Sequence, residues 1–161
     1  VTLNELIEEV GTDAARFFFV MRSIDSQLDF DLTLATEKSI ENPVYYIQYA
    51  HARCCSIMER VEVNEDTTGS LLTNSKEIDL LKHIGAYERV VLDAAINKSP
   101  YKITNYLYTL ASLFHTFYNE CKVVDKENLK LTVQRVVLAK MTRITIKNGL
   151  KLIGVEALNK M

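Results

Sequence analysis

Apolar residues recur along this chain at intervals of three and four and almost never alternate strictly, so the pattern predicts helices from one end to the other. Thr2-Leu-Asn-Glu5 has the spacing of a capping box and opens a short helix that stops near Gly11. Thr12 then caps a second helix, Asp13 to about Met21. Residues 23–31 form an ordered connection, followed by a short helix over Leu32–Lys38. Asn42 is a good N-cap and Pro43 suits the first helical position, so a long helix runs from there to about Arg60. The polar, turn-rich stretch 62–75 reads as a loop. Ser75 caps a helix reaching Asn97 with a break near Gly85. Ser99-Pro100 starts another, with Ile103, Leu107, Leu110, Phe114, Phe117 and Cys121 on one side. Asp125 caps the last long helix, which ends near Gly154.

The expected fold class is therefore an all-α helical bundle. Five glycines and two prolines are too few for the many turns of an all-β chain, and 161 residues can bury a real core. An apolar share of 48% with 25% charged residues is that of a globular protein. No apolar run approaches the roughly 18 residues of a membrane span. The acidic, amphipathic start is unlike a signal peptide, and three cysteines without a Cys-x-x-Cys pair give neither a disulfide framework nor a zinc site. A cytoplasmic protein with reduced thiols is expected, and the missing initiator methionine suggests a fragment or a processed chain.

Chemistry first enters on the helix after Asn42. At about 100° per residue, Val44, Ile47, His51, Cys54 and Met58 share a stripe about 80° wide. Tyr46, Tyr49, Arg53 and Arg60 share another, about 60° wide and nearly opposite. Two tyrosines and two arginines on a face that is not core suit base stacking and phosphate contact; the same face would also serve to dock a neighbouring protein domain.

Charge sharpens this picture. The net charge of −2 conceals a division: residues 1–97 hold 8 basic and 17 acidic side chains, net −9, and residues 98–161 hold 11 and 4, net +7. Lys126, Lys130, Lys140, Lys147 and Lys151 fall within about 100° on the last helix. Such a stripe would contact a phosphate backbone with a steep salt dependence, or simply be the wet side of an amphipathic helix.

Signals for catalysis fail. His83-Ile-Gly-Ala86 and Lys140-Met-Thr-Arg143 look like the HIGH and KMSKS signatures of class I aminoacyl-tRNA synthetases. Those signatures need a nucleotide-binding α/β fold, whereas both strings lie inside predicted helices. His51 sits on the apolar stripe and is expected to be a hydrogen-bonded interior histidine; His115 sits beside the Phe114 and Phe117 face and is explained by packing. No Gly-rich phosphate loop and no carboxylate pair in an apolar setting occurs in the sequence.

Several words nevertheless share one source. Asp13-Ala-Ala-Arg16-Phe, then Leu28-Asp-Phe-Asp31 with Leu34-Ala35, then Asn42–Arg53, then Leu113-Phe-His-x-Phe-Tyr-Asn119, and finally Asn148-Gly-Leu-x-Leu-Ile-Gly154 with Met161, follow one another in the order found in arginyl-tRNA synthetases. The chain resembles the C-terminal part of that family. The related cysteinyl-tRNA synthetases have a similar helical module, but the Asn42–Arg53 string and the Met161 ending favour arginyl.

The resemblance implies a helical linker from the end of the catalytic body over residues 1–41 and an anticodon-binding bundle over 42–161. It implies an ATP-dependent arginine–tRNA ligase as parent, with ATP, Mg2+ and both true signatures upstream of Val1, and no catalytic residue or cofactor in this piece. The implied partners are tRNA(Arg) and the catalytic domain, with no membrane or DNA. Carried over by residue, Tyr46, Tyr49, Arg53, Tyr118, Asn119 and Met161 would face the anticodon, whose middle cytosine is the main base read in the family. Arg60, Lys122, Lys126, Lys140 and Lys147 would meet phosphates. Three departures matter: Ala15 stands for the usual leucine, Ile144-Thr145 for Gln-Val, and Lys122 for an aromatic ring in some members. Phe17-Phe-Phe-Val-Met21 is expected to be left exposed without the catalytic body and to drive self-association.

Overall fold

The computed structural model describes residues 2–63 and 68–161. Eight helices and no strands occur among them: α1 (Leu3–Val10), α2 (Thr12–Val20), α3 (Leu32–Thr36), α4 (Pro43–Met58), α5 (Ser75–Gly85), α6 (Tyr87–Ile96), α7 (Tyr101–Glu120) and α8 (Leu129–Leu152). The all-helical expectation holds, and no helix among the described residues is long and apolar enough to cross a membrane.

Several ends differ from the sequence reading, each for a local reason. Thr12 is the first residue of α2 and not its cap, because Gly11 at φ +83° makes the corner between α1 and α2 without a side-chain bond. Asn74, not Ser75, caps α5, in a capping box with Glu77. Asn128 caps α8 by accepting from the Leu131 N–H, so Asp125 lies outside that helix. Asp125 instead exchanges two hydrogen bonds with Thr132: its N–H donates to Oγ1, and Oγ1 donates back to its carbonyl. Lys126 consequently sits in a turn ahead of α8 and leaves the lysine stripe, which keeps Lys130, Lys140, Lys147 and Lys151. The helix break near Gly85 is present, between α5 and α6. Part of the expected 62–75 loop, residues 64–67, lies outside the described residues.

The core runs through α4, α7 and α8. Ile47, Cys54, Leu107, Leu110, Phe114, Phe117, Val136, Ala139, Ile146 and Leu150 are fully buried there, each large side chain stabilising the fold by about 1.5–3 kcal/mol relative to exposure. Gly149 permits the close approach of α7 and α8, since a Cβ there would stand 2.6 Å from a Leu107 methyl. One buried ion pair joins α5 to α8: Arg135 Nε donates to Glu77 Oε1 at 2.6 Å while Glu77 Oε2 accepts the Asn74 N–H that closes the capping box.

The α1–α3 segment packs on itself and, through α2, on α4 and α7. Phe17 and Phe18 are buried in this packing, which corrects the expectation of an exposed aromatic run: only Phe19, at 43% exposure, is open, and it leans on Phe30. The physical reason is the neighbouring α4–α7 surface, which gives α2 something to cover without any upstream domain.

Candidate nucleic-acid interface

Two helices and the chain end build the site. On α4 the i, i+3, i+7 spacing of Tyr46, Tyr49 and Arg53 aims all three toward α7. On α7 His115 and Tyr118 meet them. Arg53 is the hub: Nη2 donates to the Tyr49 hydroxyl at 2.6 Å and Nη1 lies 3.3 Å from His115 Nδ1. Its guanidinium carbon lies 4.6 Å from the centre of the Tyr49 ring and 4.4 Å from that of Tyr118, within cation–π range. The rings of this face are thus already partly engaged: Arg53 lies over one face of Tyr49 and of Tyr118, and His115 stacks on Tyr49 at 5.6 Å between ring centres.

The C-terminal tail closes the third side. After α8, Gly154 turns the chain at φ +72°, and the tail is then fastened at successive points. Arg16 Nη1 donates to the Gly154 carbonyl at 3.0 Å, and the Glu156 N–H donates to Asp13 Oδ1 at 3.2 Å. Gln48 Nε2 donates both to the Glu156 carbonyl and to Asp13 Oδ2, at 3.0 and 3.1 Å. Further on, His51 Nδ1 donates to the Leu158 carbonyl at 2.8 Å, and the Cys55 thiol faces Asn159 Oδ1. Gln48, His51 and Cys55 lie on one face of α4, so the helix acts as a rail that delivers Lys160 and Met161 to the Arg53 cluster.

The result is an open cleft of about 420 Å³ lined by Tyr49, Ala52, Arg53, Ser56, Arg60, Tyr118, Lys160 and Met161. A smaller depression of about 250 Å³ adjoins it through Arg60 and Tyr118 and is lined also by Lys122. Three cationic side chains with two tyrosine rings and a thioether make a concavity suited to an anionic, aromatic ligand such as an unpaired nucleotide.

Of the residues singled out from sequence, Tyr49, Arg53, Arg60, Tyr118 and Met161 meet in one cleft. Tyr46 sits behind it, packed on Tyr108 at 5.3 Å and on His115 at 4.7 Å between ring centres. Asn119 is exposed at the end of α7, outside the residues that line the cleft. Lys122 is exposed and paired with Asp125 at 2.9 Å, which offsets part of its charge. Lys126, Lys140 and Lys147 are exposed and line neither depression.

Sequence reasoning missed His115, Gln48 and Lys160. His115 does touch the Phe114 ring, as packing predicted, but it also stacks on Tyr49 and faces Arg53. Burial, aided by the Arg53 charge and opposed by a weaker interaction with the Tyr46 backbone, pushes its pKa down to about 4, so the ring is neutral at physiological pH. His51 is interior and hydrogen-bonded as expected; burial, with the charges of Arg143 and Lys147, lowers its pKa against the Leu158 bond.

The two signature-like strings fall where their chemistry cannot operate. His83 lies in α5 with its ring stacked on Tyr106 and Nε2 on the Tyr106 carbonyl, and Lys140 to Arg143 form part of α8. Neither offers a nucleotide site, and no cluster of metal-ligating side chains occurs among the described residues.

A family profile described as the DALR anticodon binding domain matches residues 47–161. The chain belongs to the DALR anticodon-binding domain family. Asp13 and Arg16, the two charged residues that clasp the tail, lie ahead of the matched span.

Among curated relatives of this DALR chain, arginine–tRNA ligase 1 of Halalkalibacterium halodurans is 51% identical over the whole chain, which covers 30% of that protein. A solved Campylobacter jejuni structure assigned as an arginyl-tRNA synthetase superposes with a TM-score of 0.91 at 32% identity, covering all of this chain and 36% of the other. The Thermus thermophilus arginyl-tRNA synthetase gives 0.83 at 28%, covering all of this chain and 28% of that one. The resemblance read from the sequence to arginyl-tRNA synthetases therefore holds, and the chain spans less than a third of the curated relative's length.

Proposed function

We propose that this chain is the tRNA anticodon-binding part of an arginine–tRNA ligase, with residues 1–41 leading from the catalytic body and 42–161 forming the binding bundle. The observation that carries the reading is the convergence of Tyr49, Arg53, Arg60, Tyr118 and Met161 on one cleft. Its function is binding and positioning. Basic side chains draw in the anticodon arm of tRNA(Arg), Arg60, Lys122, Lys126, Lys140 and Lys147 meeting its phosphates. An unpaired base then enters the cleft, presents its edge to Arg53 and the chain end, and stacks on an aromatic face. Tyr46 supports the cluster from behind and Asn119 borders it.

Arginine activation by ATP with Mg2+ belongs to the remainder of the ligase; no residue of this chain takes part in that step. Engagement of the correct anticodon would favour the competent arrangement of the catalytic domain, a coupling free energy between two sites.

Binding of tRNA(Arg) to the chain, measured at low and moderate salt with Arg53→Ala in parallel, tests this. Affinity that weakens with salt and depends on Arg53 supports the reading. A chain that binds no tRNA at low salt would be a protein-docking module.

A further inference from the structure

Arg53 is held on three sides. Tyr49 takes one hydrogen bond, Tyr118 covers the guanidinium face, and the remaining side is closed by His115, a buried ring locked between Tyr46, Tyr49 and Phe114. For Arg53 Nη1 to donate to Nδ1, that nitrogen must be unprotonated, which puts the ring proton on Nε2, a buried nitrogen with no hydrogen-bond partner among the described residues. An arginine carries no acceptor, which makes the contact directional: the histidine accepts and the arginine gives.

We propose that His115 is a positioning residue for RNA readout, whose Nδ1 acceptor fixes the plane of the Arg53 guanidinium so that its remaining N–H groups point into the cleft. The inference rests on the anticodon-binding reading and goes beyond it, because His115 itself does not line the cleft. A guanidinium on a flexible stem otherwise loses rotamer freedom when it binds; here that ordering is complete before RNA arrives. Only a neutral ring can hold the arginine in this way, because a charged imidazolium would have no acceptor and would repel the guanidinium.

Two substitutions separate positioning from packing. His115→Phe keeps an aromatic ring in the stack and removes the acceptor. His115→Asn loses the ring but retains a side-chain oxygen near the place of Nδ1. The probe is an RNA hairpin of the anticodon stem and loop carrying the middle cytosine, with a second hairpin in which that base is uracil.

His115→Phe is expected to weaken the cytosine hairpin about tenfold and to narrow the preference over uracil, while His115→Asn recovers most of both. In an Arg53→Ala background, His115→Phe should add less than about twofold. The nitrogen NMR shift of Nδ1 in the free chain should be that of an unprotonated ring nitrogen, a readout independent of RNA. Full loss from His115→Phe on top of Arg53→Ala, or a protonated Nδ1, overturns the proposal, as does wild-type binding by His115→Phe when Arg53→Ala still abolishes the preference. A wild-type chain that does not distinguish the hairpins would instead refute the anticodon reading itself.

Discussion

Arg16 lies across Gly154, its partner 138 positions along the chain: Nη1 donates to the glycine carbonyl, and the guanidinium fills the space that a Cβ on Gly154 would occupy. The glycine also turns the chain at φ +72°, where an L side chain is strained. Gly154→Ala is therefore expected to destabilise the fold by about 1–3 kcal/mol, read by urea unfolding. In an Arg16→Ala background the same change should cost only the backbone part, about 1 kcal/mol. Equal costs in both backgrounds would show that the two residues do not share this space.

Glu77 and Arg135 test the α5–α8 junction. Glu77 is 1% exposed and its carboxylate is bonded on both oxygens, to Arg135 and to the Asn74 N–H. Glu77→Ala leaves the arginine without its counter-ion and opens the α5 cap, so a loss of about 3–5 kcal/mol is expected. Replacing both partners, as Glu77→Leu with Arg135→Met, should cost clearly less, because no uncompensated charge remains. Chemical denaturation of the two variants beside the wild type decides it.

Stability should fall on mild acidification in a way that His115 controls. Its folded pKa of about 4 lies below the ordinary 6.5, so the unfolded chain takes up the proton first. The contribution is complete above about pH 6.5, declines as pH falls and is gone below about 4; the span corresponds to at most about 3 kcal/mol. His51, lowered for the same main reason, acts in the same direction. Unfolding free energy against pH should be flatter between about 6.5 and 4.5 for His115→Phe than for wild type. Parallel profiles would mean that the buried ring is not kept neutral by the fold.

The helices and much of the site were legible because they depend on local chemistry. The i, i+3, i+7 spacing of Tyr46, Tyr49 and Arg53 placed them on one face, and Asn42-Pro43 marked the start of α4 correctly. What escaped the sequence depends on contacts between distant segments. Nothing local tells that Gln48 reaches Asp13 and the Glu156 carbonyl, or that Nδ1 of His115 faces Arg53. The misplaced caps have a simpler cause: Asn74 beside Ser75, and Asp125 three residues before Asn128, are rival capping residues, and the choice rests on which one the tertiary packing lets bond.

Lys140 and Lys147 are exposed on the same side of α8, about two turns apart. If both meet phosphates, Lys140→Gln with Lys147→Gln should reduce the slope of log affinity against log salt by about 1–2 and weaken all tRNAs alike. An unchanged slope would assign the electrostatic contact to Arg60, Lys122 and Lys160 around the cleft instead.

The central claim is that the cleft between α4, α7 and the chain end reads the middle anticodon base, and it is tested most directly by competing tRNA(Arg) against the same tRNA with that cytosine replaced. A preference of about tenfold or more for cytosine, abolished by Arg53→Ala and by removal of Met161, is the predicted result. Equal binding of the two tRNAs, or a preference that survives both changes, would contradict it.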